Sequence, residues 1–189
     1  MLNLRTLGFL FFLVMLVACS SNPTPKPPAY VRVDFPEKTY RDYQPADCPF
    51  EFEIPDYAKI EKDSNSCDFI IEFPKYRGEV FFHYLPITQE ASLQNLLDDM
   101  HKLAYQHQVK ASSINTRASE DTASNKYILE YSLEGNVASN FQFCITDSTQ
   151  KFVRGSLYFR AKPNQDSLQP VLDYIRKDLD RMISSFKWK

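Results

Sequence analysis

Four cysteines and three histidines, with a scatter of carboxylates, are the side chains of this 189-residue sequence that could form bonds, move protons or hold a metal. Cys19 is the most telling. It closes the run Leu16-Val17-Ala18-Cys19, small residues leading to a cysteine at the end of an apolar segment. That pattern is a lipobox: the sulfur receives a diacylglyceryl thioether, the chain is cut ahead of it, and Cys19 becomes an acylated first residue. The apolar run from Leu7 to Ala18 is about 12 residues, too short to span ~30 Å of hydrocarbon and typical of a secretory h-region. Arg5 supplies the charge in front of it. A buried apolar hairpin or a short anchor would be equally apolar, but position, length and flanking residues all agree with export. Residues 1–18 read as a signal peptide and Cys19 as the lipidation site. With several acyl chains, each buried CH2 adding roughly 0.8 kcal/mol, such an anchor is effectively permanent.

Export places the other cysteines in an oxidising compartment. Cys48 and Cys67 each stand at the start of an expected strand, and a disulfide between them closes a loop of roughly 20 residues, adding on the order of 3 kcal/mol. Cys144 is left over. It alternates with Phe143 and Ile145 on the side of Ala138 and Gln142, where a free thiol behaves as a small hydrophobe. A nucleophilic thiol needs a histidine, and none is close in sequence. His101 and His107 lie six apart on one expected helix, about 120° out of line, so they cannot share a metal as residues four apart do. His107 falls on the apolar face as a core histidine, and Asp98 can pair with His101 at i, i+3. His83 stands alone on a strand. Glu51 and Glu53 share a strand face and read as solvated rather than as an acid–base pair. There is no G-x-S-x-G, H-E-x-x-H, C-x-x-C or calcium-loop run, so no catalytic residue, cofactor site or metal site is assigned.

Composition narrows the classes further. Without the leader the chain carries 21 basic and 24 acidic residues, since Arg5 is the only charge removed from 22 and 24. No basic patch marks a nucleic-acid partner. Three glycines remain, Gly78, Gly135 and Gly155, too few for a phosphate cradle. Fifteen Phe and eleven Tyr can fill a core. From Ser20 the chain reads SSNPTPKPPA, whose prolines hold the backbone extended; residues 19–29 form a lipidated tether and residues 30–189 a single periplasmic domain. A proline-rich stretch can also bind an SH3-like partner, but a spacer suits the place after an anchor. Ser20-Ser21-Asn22 lack the Asp that would retain the anchor in the inner membrane, and no acidic cluster marks surface export. The outer membrane, periplasmic face, is the expected address.

The elements that must position these groups are strands first. Tyr30 to Phe35 alternates. Phe50 to Ile54 sets aromatics against carboxylates between Pro49 and Pro55. Tyr57 to Ile60 is a short partner, and Cys67 to Phe73 ends at Pro74. Glu79 to Leu85 is apolar on both faces, as a central strand covered on both sides would be. A helix follows, with Leu93, Leu96, Leu97, Met100, Leu103, Ala104 and His107 on one face and Thr88 or Ser92 as its cap. Three more strands span Lys126 to Leu133, Val137 to Ile145 and Lys151 to Ala161, with a two-residue hairpin at Gly135-Asn136 and a turn at Asp147-Ser148-Thr149. Leu168, Val171, Leu172, Ile175, Leu179, Met182, Ile183 and Phe186 trace a final amphipathic helix, with Asp166 as its cap, Pro170 in its first turn and an Asp173–Lys177 pair outside. The class is α+β: an antiparallel sheet with two amphipathic helices, analogous at fold level to the Mog1/PsbP-like arrangement.

Long collinear blocks carry a resemblance beyond this: the lipobox at Cys19, PKPPAYVRVDFP from Pro25, CPFEFEIPDYAKIE from Cys48, CDFIIEFPKYRGEVFFHYLP from Cys67, LAYQHQVKASSI from Leu103, and GSLYFRAKPNQDSLQPVLDYIRKDLDRMISSFKW from Gly155. The chain resembles the gliding-motility lipoprotein GldD family over nearly the whole mature chain, with Asn115 to Ser124 the weakest part. The resemblance implies an accessory, non-catalytic role in the gliding machinery and its linked type IX secretion system, through contact with other proteins of that apparatus and with the membrane by its lipid. No cofactor or small-molecule ligand is implied. Two other classes remain open: a ligand-binding or chaperone-like module with a cavity lined by Phe82, Tyr84 or Tyr158, and a hydrolase or metal enzyme built on His83, His101 and Cys144.

Overall fold

Alternating apolar residues dictate a seven-stranded antiparallel sheet whose two faces are covered differently. The computed structural model describes residues 33–62 and 66–189. In chain order these form β1 (Tyr40–Tyr43), β2 (Phe50–Pro55), β3 (Lys59–Lys62), β4 (Phe69–Phe73), β5 (Gly78–Pro86), α1 (Leu93–Tyr105), β6 (Ala111–Asp121), β7 (Lys126–Gly135), β8 (Ser139–Thr146), β9 (Lys151–Phe159), α2 (Gln165–Ser185) and β10 (Lys187–Trp188). The large sheet runs β3-β4-β5-β9-β8-β7-β6, and a small sheet runs β1-β2-β10. Cys19 and the tether lie outside the described residues.

One face of the large sheet buries Phe69, Ile71, Val80, Phe82, Phe143, Ile145, Val153 and Leu157 against Phe50 and Phe52 of the small sheet and Ile175, Leu179 and Met182 of α2. Each fully buried phenylalanine here contributes roughly 2–3 kcal/mol. The stacking adds to that, with Phe69 and Phe82 rings 4.5 Å apart and Phe50 on Phe186 at 5.7 Å. The opposite face is covered by α1, whose Leu96, Met100 and Ala104 pack on Tyr131, Leu133, Cys144 and Phe152. Ser92 caps α1, its side chain accepting from the Asn95 amide at 3.2 Å.

Several expectations need correcting. The strand buried throughout on both faces is β8, not β5. Phe81, His83 and Leu85 of β5 are half-buried, because α1 covers β7, β8 and the Phe152 end of β9 on that face and reaches β5 only at Leu85. Residues 33–35, the described end of the Tyr30–Phe35 alternation, form no strand; Phe35 stacks instead on Tyr174 at 4.6 Å. Strands β1, β6 and β10 carry no alternation of their own and exist through their partners' amides. Asn164 rather than Asp166 caps α2, accepting from the Ser167 amide at 3.3 Å. Pro170 therefore sits in the second turn, where its missing amide frees only the carbonyl of exposed Asp166. Asp173 accepts from Gln169 at 2.7 Å instead of pairing with Lys177. The β7–β8 loop is three residues, Asn136 to Ala138, entered through Gly135 at φ 109°. A side chain there would also meet the Lys110 carbonyl at 2.6 Å, so glycine is required on two counts.

Candidate functional site

The half-covered sheet face holds most of the groups that could do chemistry. Across β5, β9 and β8 the register sets His83 beside Arg154 and Arg154 beside Cys144. His83 and Cys144 thus share a face with Arg154 between them, two strand spacings or about 10 Å apart. His83 is engaged elsewhere, its Nδ1 lying 3.2 Å from Asp68 Oδ2 while Asp68 Oδ1 accepts from the Tyr84 amide at 2.9 Å. His101 turns to the Tyr131 hydroxyl, 3.3 Å from its Nδ1, and stacks on Tyr105 at 4.2 Å. Cys144 is free and buried, and burial pushes its thiol up to about 12. A neutral thiol beneath α1 is a packing group, and no hydrogen bond joins it to either histidine among the described residues.

The other sequence candidates are dispersed. His107 lies past the end of α1, half-buried rather than in the core, and burial lowers its pKa. Asp98 accepts from Gln94 at 2.8 Å instead of pairing with His101. Glu53 is held by Arg181, whose Nη2 reaches Oε1 at 3.0 Å, which makes it an ion-paired outer residue. Cys48 and Cys67 are bonded to each other, their Cα atoms 5.6 Å apart. Among the described residues no group of three or more His, Cys, Asp or Glu is placed to hold a metal, and no helix is long and apolar enough to cross a membrane.

Phe82 and Tyr84 belong to the covered core face, whereas Tyr158 stands on the other, so they cannot line one cavity. A hollow of about 530 Å³ lies on the α1 side, floored by Phe81, His83, Arg154, Ser156 and Tyr158 and walled by Leu103. Phe81 and Tyr158 meet edge to face at 5.6 Å.

Three buried charge clusters were not visible in the sequence. Asp178, 1% exposed on the apolar stripe of α2, accepts from Lys38 Nζ at 2.6 Å, the Tyr40 hydroxyl at 2.9 Å and the Tyr57 hydroxyl at 2.5 Å. Lys38 also donates to the Tyr174 carbonyl at 2.8 Å, and the Tyr174 hydroxyl donates to Pro36 at 2.9 Å. This cluster fastens residues 36–40 to α2. Glu130, 1% exposed on β7, takes Arg117 Nε of β6 at 2.5 Å and Arg176 Nη2 of α2 at 3.0 Å. Lys126 reaches the end of α2 and donates to the carbonyls of Ile183, Ser184 and Phe186 at 3.3, 3.1 and 3.2 Å, where a cation complements the helix dipole.

The sheet edges differ in a way that matters for contacts. β3 is four residues with a lysine at each end, a guarded edge. β6 is eleven residues, ASSINTRASED, exposed from Asn115 onward and, among the described residues, paired only with β7. It carries no proline and no lysine, and its one irregularity falls at its start, between Ala111 and Ser113.

Comparison with known proteins agrees with this architecture. The solution structure of cyanobacterial PsbP (CyanoP) from Synechocystis sp. PCC 6803 superposes with a TM-score of 0.51 at 14% identity, covering 84% of this chain and 98% of that one. At that identity the likeness establishes the fold alone, a PsbP-like α+β arrangement. No curated protein sequence matches this one. A family profile described as "Gliding motility lipoprotein GldD" matches residues 20–188.

Proposed function

The chain belongs to the gliding motility lipoprotein GldD family, and on that premise we propose that it is a lipid-anchored, non-catalytic accessory component of the gliding machinery and its linked type IX secretion system. The observation that carries the reading is the extent of the family match, which begins at residue 20, directly after Cys19, and runs to residue 188. A boundary at that point suits a mature chain starting at the acylated cysteine. The anchor is assigned to the periplasmic face of the outer membrane, because Ser20-Ser21-Asn22 put no Asp at the second position and no acidic cluster after Cys19.

The mechanism we favour is strand addition. β6 offers a row of unpaired amides and carbonyls along one long exposed edge, the geometry on which a partner's extended segment gains main-chain hydrogen bonds. The Glu130–Arg117 pair holds β6 on β7 and so stiffens that edge.

The test is a clean deletion in the native host, scored for colony spreading and for secretion of a type IX cargo. Complementation uses wild type, Cys19→Ala, and Thr116→Lys with Ala118→Lys, which blunt the exposed edge. Loss of both activities, restored by wild type alone, supports an anchored component acting through β6. Restoration by the edge variant would remove strand addition, and normal spreading in the deletion strain would remove the role itself.

A further inference from the structure

We propose that the hollow beside α1 is a binding site for a small amphipathic monocarboxylate, its apolar body lying across Phe81 and Tyr158 and its carboxylate held by Arg154. This stands independently of the gliding role.

The floor is built by strand register. β5 and β9 pair so that Phe81 faces Ser156, His83 faces Arg154, and Glu79 faces Tyr158. These side chains line one hollow on the face that α1 leaves open. Its volume of about 530 Å³ falls within the range of small-ligand sites. The edge-to-face pair of Phe81 and Tyr158 gives an apolar surface that nothing described in the chain covers.

Arg154 sets the ligand's charge. Arg117, Arg160, Arg176 and Arg181 each hold a carboxylate. Arg154 is half-buried in the hollow, yet among the described residues its guanidinium has no ion pair, side-chain hydrogen bond or ring contact. A guanidinium fork lining a hollow and left without an acid matches a planar carboxylate, which it binds through two parallel N–H···O bonds. Ser156, two residues along the same strand face, adds a hydroxyl donor.

The neighbouring acids limit that charge to one. Glu79 closes one end of the hollow, paired with Arg160, and Asp68 stands behind His83. Two fixed carboxylates around one free arginine repel a dianion such as a phosphate monoester more than a single carboxylate.

The test uses the mature acylated protein in lipid nanodiscs, titrated calorimetrically with octanoate, 3-phenylpropionate and octanol, with empty nanodiscs subtracted for partitioning. We expect saturable binding of octanoate if the body is an acyl chain, or of 3-phenylpropionate if it is aromatic, and about tenfold weaker binding of octanol, which lacks the charge. Arg154→Gln lowers carboxylate affinity about tenfold at an unchanged melting temperature, and Arg154→Lys falls between. The proposal is overturned if neither carboxylate saturates, if octanol binds as well as octanoate, or if Arg154→Gln binds like wild type. Should Arg154→Gln not fold, the octanoate–octanol comparison on wild type decides.

Discussion

The ring of Phe143 fills the space that a side chain at residue 155 would need. A methyl group on Gly155 would stand 2.2 Å from the ring's Cε1 and Cζ. Gly155 lies opposite Phe143 on one neighbouring strand and Phe82 on the other, so it is the gap that lets two large rings sit side by side in the sheet.

Gly155→Ala must therefore displace Phe143 within a close-packed core. We expect a loss of about 1–3 kcal/mol, read as a lower midpoint in urea with unchanged slope. A stability equal to wild type would mean that the ring moves freely and that Phe143 is not fixed against Gly155.

Asp178→Asn leaves Lys38 half-buried without its counter-charge. Removing one partner of a buried pair costs about 3 kcal/mol or more, which for a domain of this size lowers the melting temperature by roughly 6–12 °C. Combining Asp178→Asn with Lys38→Met should recover part of the loss, since an apolar side chain needs no partner there.

Alkaline pH should unfold the domain through the same cluster. Burial, then the hydrogen bond and charge of Asp178, raise the phenols of Tyr40 and Tyr57 above the ordinary tyrosine value of 10.0. Burial also raises Tyr174, to about 12. A raised folded-state pKa gives stability that is whole below the unfolded value and is lost as pH climbs from there, for Tyr174 between 10.0 and about 12. Burial lowers Lys38, which works in the opposite sense, but one amine is set against three phenols. Ultraviolet tyrosinate absorbance followed alongside circular dichroism should show these phenols ionising together with unfolding. Ionisation of all eleven tyrosines while the fold stays intact would contradict it.

Lys126→Met strips three carbonyls at the end of α2 of their shared donor. The expected cost is about 2 kcal/mol, within the range for charge-assisted hydrogen bonds. The signature is local: amide exchange should quicken at residues 183–188 and remain slow in β8. Uniform quickening would instead indicate a global effect.

Reduction of Cys48–Cys67 should lower stability by about 3 kcal/mol, the loop-closure value for a loop near 20 residues. Cys48→Ser with Cys67→Ser should match the reduced protein, and added reductant should then have no further effect.

Legibility in the sequence followed physical range. The stripe of α2 and the alternation of β2 are set by near neighbours, so periodicity reveals them. β6 reads as polar and aperiodic because its order comes from β7, through ten register partners and the Arg117–Glu130 bond. Asp178 interrupts an apolar stripe, the one local sign that something distant must reach it, and Lys38 lies 140 residues away. β5 is apolar on both sides, which fits burial on both faces and equally fits an aromatic-floored hollow; only the reach of α1 separates the two. The cap of α2 shifted to Asn164 because Asn136 accepts the Gln165 amide at 2.9 Å and fixes where the helix begins.

Residues 33–40 run along α2, with Phe35 stacked on Tyr174 and the Pro36 carbonyl accepting from the Tyr174 hydroxyl. Beside them Lys38 and Tyr40 donate to Asp178, midway along α2. α2 is in turn tied to the small sheet through Arg181 and Glu53, to β7 through Arg176 and Glu130, and at its end to Lys126. A pull on residues 33–40 is therefore shared by one long helix among both sheets instead of peeling strands apart one by one. The domain is braced around α2, with Asp178 as its pin.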